Sequence, residues 1–127
     1  MDEKLIISNL EDLNKSLAES TQDDKAIEYY NELILDQQNT LYFIKKARLC
    51  YCNSLMKMLA HHRKHGFAEV NAEADAIFGS TTYQDLSDVA YQLEDELQII
   101  GVQIQQKNTE IFELKNKIHQ AFTVQPL

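Results

Sequence analysis

The sequence predicts an all-α fold: a long antiparallel coiled-coil helical hairpin, with a short N-terminal helix forming a three-helix bundle at one end. Three observations carry this. Helix breakers are scarce, with three glycines and one proline in 127 residues, and Pro126 lies in the tail. Two long segments keep apolar residues at alternating steps of three and four, the period of about 3.5 residues that packs helix against helix. The charge also divides along the chain. Residues 1–36 and 69–127 each hold ten acids and three bases, whereas residues 37–68 hold six bases and no acid.

The first helix is expected over about 3–19, where Ile6, Leu10, Leu13 and Leu17 form one stripe and Leu5 and Ile7 widen it. Asp23 and Asp24 follow as capping residues. A second helix is expected over about 23–65, with a seam of Ile27, Tyr30, Ile34, Gln37, Leu41, Ile44, Arg48, Tyr51, Leu55, Met58 and His62. Residues 36–40 are its weakest part, but no Gly or Pro breaks them, so the helix is expected to continue to Gly66. A short connecting helix or turn is expected at 67–78, and Ser80 to Thr82 supply cap chemistry. The last helix, about 82–121, has the clearest seam: Leu86, Ala90, Leu93, Leu97, Ile100, Ile104, Lys107, Ile111, Leu114, Ile118 and Ala121. Residues 1–122 then form one helical bundle domain, and 123–127 a flexible tail.

The charge blocks suggest how the long helices pair. With equal rise on both arms, residues whose numbers add to roughly 146 face each other. Lys57 then faces Asp88, and Lys45, Lys46 and Arg48 face residues just beyond Glu94-Asp95-Glu96. Lys107, Lys115 and Lys117 face Asp36, Glu32 and Glu28. Exposed pairs contribute a few tenths of a kcal/mol each, yet like-charge alternatives are penalised, so they favour one register.

The half of the hairpin beyond the first helix carries more apolar surface than a two-helix seam needs. Leu49, Tyr51, Leu55, Met56 and Met58 spread around the second helix, and Ile99 and Val102 lie outside the seam of the last. Gly101 beside them leaves room for another backbone. These seven apolar residues are the expected partner-binding surface, taking a helix of another protein or of a second copy in a dimer. Folding back of residues 67–78 over them is the plainer alternative.

The chemistry-bearing motifs are sparse. Gly66, Gly79 and Gly101 make no phosphate loop or dinucleotide fingerprint. His61 and His65 share a helical face and are weak candidates for metal ligands, since no carboxylate or ligand-spaced cysteine joins them. Their plainer reading is a basic helix C-terminus. Cys50 and Cys52 point about 200° apart on a helix and cannot pair. Unpaired thiols and the lack of a leader or a spanning segment fit a cytoplasmic protein. Tyr42, Phe43 and Tyr51 among the bases suggest nucleic-acid stacking, but they follow core spacing and the net charge of −8 opposes it. No motif with catalytic mechanics appears, and no cofactor is expected. The sequence therefore points to a non-enzymatic adaptor, assembly subunit or secretion-type chaperone. The alternative is a small acidic inhibitor that occupies a basic surface of a target protein or nucleoprotein, with Asp85, Asp88, Glu94, Asp95 and Glu96 in its binding face.

Overall fold

The computed structural model describes residues 2–20, 22–61 and 83–123. Over these the chain is a helical bundle of three helices with no strand: α1 (Glu3–Glu19), α2 (Asp24–His61) and α3 (Tyr83–Thr123). The expected α1 coincides with the observed one, and the starts of α2 and α3 agree within one residue. The expected connection at 67–78, the Gly66 stop, the Ser80–Thr82 cap and residues 124–127 lie outside the described residues.

Local chemistry explains the ends. The Asp2 carboxylate accepts from the Lys4 N–H at 3.0 Å and caps α1. Ser20 closes it, its N–H donating to the Leu17 carbonyl at 3.1 Å and its hydroxyl to the Ser16 carbonyl at 2.8 Å. Asp23 opens α2, its Oδ1 accepting from the N–H groups of Lys25 and Ala26 at 3.1 and 3.3 Å. The helix runs unbroken through residues 36–40, where the Thr40 hydroxyl bonds back to the Asp36 carbonyl at 3.0 Å.

The chain divides into two compact units. The terminal unit comprises Met1–Tyr42 and Ile100–Leu127, and the central unit Phe43–Ile99. In the terminal unit, Ile6, Ile34, Leu41, Ile100 and Ile111 are buried. Here Leu10 and Asn14 of α1 line a cleft with Gln38 and α3, and Leu13 lines another with Leu33 and Gln37, so three helices meet. In the central unit, Cys52, Leu55, Leu86 and Ala90 form the core, with Leu49, Tyr51, Met56, Leu59 and Val89 packed around it. The Cys52 thiol donates to the Leu86 carbonyl at 3.2 Å.

The α3 seam is as expected except at Ala121, which is exposed. The α2 seam is correct only in alternate positions. Ile34, Leu41 and Leu55 are buried, but Asn31 and Cys52 are buried where Tyr30 and Tyr51 were expected. Met58 is exposed while Leu59 packs on the core, and Arg48 is exposed. The seam thus steps by four and then three rather than three and then four. Asn31, Gln38 and Lys45 occupy the neglected column, and an apolarity count passes over them. In α1, Leu5 and Ile7 are exposed and do not widen the stripe.

Pairing is antiparallel within each unit, but about a turn away from the expected register. In the central unit Lys45 reaches Glu96 itself at 2.8 Å, not a residue beyond it. Lys57 does not pair with Asp88, which accepts instead from Gln84 at 3.2 Å. In the terminal unit Lys115 meets Glu32 at 2.9 Å as expected. Lys117 meets Asp24 rather than Glu28, at 3.3 Å, and Lys107 meets Asn31 and Glu110 rather than Asp36. Equal rise from an assumed turn centre sets the register only to within a turn; side-chain partners select within it.

Two measurements test this account. A Cβ on Gly101 would meet only the Tyr42 ring, at an ordinary 3.9 Å. Gly101→Ala should therefore raise stability by about 0.5–1 kcal/mol in chemical denaturation, through helix propensity alone. The hydrogen bond from Lys45 holds the Glu96 carboxyl below its usual range, with burial opposing it. The folded value lies below the unfolded one, so this stabilisation is present above about pH 4.3 and is lost as pH falls through the folded value. The melting temperature should drop less steeply from pH 5 to pH 3 in Glu96→Gln than in the parent.

Candidate functional site

The seven residues expected to bind a partner have different fates. Leu55 is 1% exposed and belongs to the central core, so it is not available at the surface. Leu49, Tyr51 and Met56 are half-buried against that core. Their breadth around α2 comes from packing within the chain. Met58 and Ile99 are exposed in the central unit, at 43% and 59%, and Val102 is exposed in the terminal unit.

Sequence reasoning missed several exposed residues of the same kind. Phe43 is 72% exposed and Tyr91 66% exposed in the central unit. Tyr29 and Phe112 are exposed in the terminal unit, where the Tyr29 ring stands edge-on to Tyr30 with centroids 5.5 Å apart. Phe43 does not follow core spacing as expected, whereas Tyr42 and Tyr51 are half-buried. The missed signal lay in the seam phase. With Leu41 and Lys45 both turned inward, Phe43 between them points outward by helical geometry.

Lys45, Lys46 and Arg48 of the basic stretch are engaged within the chain. Lys45 pairs with Glu96 with 13% of its side chain exposed, and Arg48 adds to the field on that carboxylate. Lys46 also has partners of its own. Of the acids expected in an inhibitory face, Glu96 is thus committed to Lys45, while Glu94, Asp95 and Asp88 are exposed.

Among the described residues, no group of three His, Cys, Asp or Glu is placed to hold a metal ion. His65 and the side chain of His61 lie outside the described residues. The cysteines are both free, Cys50 exposed and Cys52 buried, and burial pushes the Cys52 thiol above its usual range. Among the described residues no helix is long and apolar enough to cross a membrane.

The terminal unit contains open clefts, one lined mainly by polar side chains and others with more apolar lining. The mainly polar one, about 340 Å³, is walled by Leu10 and Asn14 of α1, Gln38 of α2, and Gln103, Gln106, Lys107 and Glu110 of α3. On its floor Lys107 donates to Asn31 at 2.8 Å and to Glu110 at 3.0 Å, with 11% of its side chain exposed. The Gln38 Oε1 is buried without a hydrogen-bond partner. These groups can hold a polar ligand by hydrogen bonds. No protein-family model, no curated protein and no solved structure matches the chain.

The thiols give a direct check on the core. In native protein, Ellman's reagent should modify Cys50 quickly and leave Cys52 unreacted until denaturant is added. Equal, rapid reaction of both would contradict the burial of Cys52 against Leu86.

Proposed function

We propose that the chain is a non-enzymatic protein–protein interaction module, a small cytoplasmic adaptor, assembly subunit or secretion-type chaperone. One observation carries this reading: large apolar side chains stand exposed on helices whose cores are already filled. Phe43, Tyr91, Ile99 and Met58 do so in the central unit. Each would gain by leaving water, roughly 1.5–3 kcal/mol for full burial, and a partner helix offers the matching apolar face. Two of these four are aromatic, and aromatic anchors are enriched among the residues that contribute most at protein interfaces.

A second reading rests on charge. The terminal unit has twelve acids and six bases, a net −6, against −2 for the central unit with eight acids and six bases. An acidic inhibitor of a basic target would use the terminal unit, and its complex would weaken steeply with salt.

Purification from native lysate with mass spectrometry, followed by variants, separates these readings. Phe43→Asp and Ile99→Asp should each reduce recovery of the partner tenfold or more with helix content unchanged. Met56→Asp is unsuitable, because Met56 packs on the core and its loss would report on folding. Light scattering on the same variants tests a dimer: self-association through these residues predicts that Ile99→Asp shifts the mass to that of a monomer. Recovery unaffected by both variants but abolished by moderate salt would favour the acidic inhibitor.

A further inference from the structure

In the central unit the two long helices carry opposite charge. Its stretch of α2, residues 43–61, holds Lys45, Lys46, Arg48 and Lys57 and no acid. Its stretch of α3, residues 83–99, holds Asp85, Asp88, Glu94, Asp95 and Glu96 and no base. Only part of this charge is neutralised inside the chain. Lys45 meets Glu96, and Lys46, Arg48 and Asp85 have partners as well. Lys57, Glu94 and Asp95 are exposed and take part in no ion pair among the described residues.

These charges share faces with the exposed apolar side chains. Two residues along a helix turn a side chain by about 200°, so a residue two away from an inward one points outward. On α2, Phe43, Cys50 and Lys57 stand two residues from the inward Lys45, Cys52 and Leu55. On α3, Tyr91, Asp95 and Ile99 stand two residues from the buried Leu93 or Leu97. All six are exposed. The unit thus presents a basic outer face on α2 and an acidic outer face on α3, each with a large uncovered apolar side chain.

The two faces suit each other and not themselves. Setting α2 against α2 brings bases together, and α3 against α3 brings acids together, and like charges across a contact are penalised. Setting α2 against α3 pairs opposite charges. At equal rise on both helices, an antiparallel pairing with Phe43 on Ile99 sets Cys50 beside Tyr91 and Lys57 within a turn of Asp88. The small Cys50 leaves room for the Tyr91 ring, and sulfur at an aromatic edge is a favourable contact. Both faces point away from the core that the two helices share, so one copy cannot join its own pair.

We propose that the outer face of α2 in one copy of this chain docks on the outer face of α3 in a second copy. The proposal rests on the reading of the chain as a protein-interaction module, and it names the partner. The contact is heterologous and leaves each copy one face of each kind, so copies add head to tail instead of closing as a two-fold dimer. From Phe43 to Lys57 the face covers about 21 Å of one helix about 10 Å wide, well below the roughly 800 Å² per partner of a stable complex. Association is therefore reversible and grows with concentration.

The test is sedimentation velocity of the full chain from about 10 μM to about 1 mM, the range in which a small contact dissociates. The weight-average mass should rise from that of a monomer to more than that of a dimer. Two double variants at exposed positions each remove one face: Phe43→Asp with Lys57→Glu on α2, and Tyr91→Lys with Asp95→Lys on α3. Circular dichroism should show both with the parent helix content. Each alone should stay monomeric, and their equimolar mixture should form a heterodimer and grow no further, since each supplies the face that the other lacks. In the parent, the rate constant for modification of Cys50 by Ellman's reagent should fall at least threefold across the range, and in the α2 variant it should not change. A parent that stays monomeric or stops at a dimer, a double variant that associates alone, a mixture that stays monomeric, or an unchanged Cys50 rate in the parent would overturn the proposal. The broader reading is tested apart from this: a monomeric parent whose Phe43→Asp variant still loses a partner from lysate remains an interaction module and loses only self-association.

Discussion

The terminal unit depends on what happens to one ammonium group. Lys107 sits at a seam position of α3, where an apolar residue is the rule, and only a small part of its side chain reaches water. A cation removed from water must find acceptors or carry a desolvation cost of several kcal/mol. Asn31 of α2 and Glu110 of α3 supply them. Asn31 is itself buried, so each group satisfies the other. A slide of α3 by one turn would part Lys107 from Asn31 and strand the buried amide, whereas Ile, Leu or Val in the same places would permit the slide. The seam loses some hydrophobic stabilisation there and gains a unique alignment.

The central unit uses a milder version of the same device. Lys45 occupies the equivalent column of α2 and meets Glu96 near the surface. Deeper in, Cys52 serves as a small apolar residue whose thiol finds a carbonyl. The aliphatic side chains around it then pack without a buried charge. Each unit thus sets one polar contact beside an apolar core, Lys107–Asn31 in the first and Lys45–Glu96 in the second, and each also presents exposed apolar residues.

Helix existence, the helix starts and the α3 seam as far as Ile118 were legible in the sequence, because Leu and Ile recur there with one polar exception at Lys107. The α2 seam was legible only in part. Hydrophobicity at Tyr30, Ile44, Tyr51 and Met58 outweighed the polar residues at Asn31, Gln38 and Lys45, yet burial follows helical phase, and phase is fixed by the partner helix. One displaced column had large consequences for the candidate surface. It turned Leu55 and its neighbours into packing and left Phe43 outside. The complementary charge blocks did predict antiparallel pairing, but of the four pairs they named only Lys115–Glu32 forms. The clefts were not legible, since they arise where three helices diverge and no local motif encodes that.

The Cys52–Leu86 and Lys117–Asp24 contacts span 34 and 93 residues of chain. Closing the longer loop costs about 0.9 kcal/mol more entropy than closing the shorter. Pairing that begins in the central unit leaves α2 and α3 already side by side, and the chain ends then join as a continuation of existing helices. Such zippering lowers the effective contact order and favours fast folding. On this loop-closure argument the α2–α3 contacts nearest the chain ends should open more readily in amide exchange than those of the central unit.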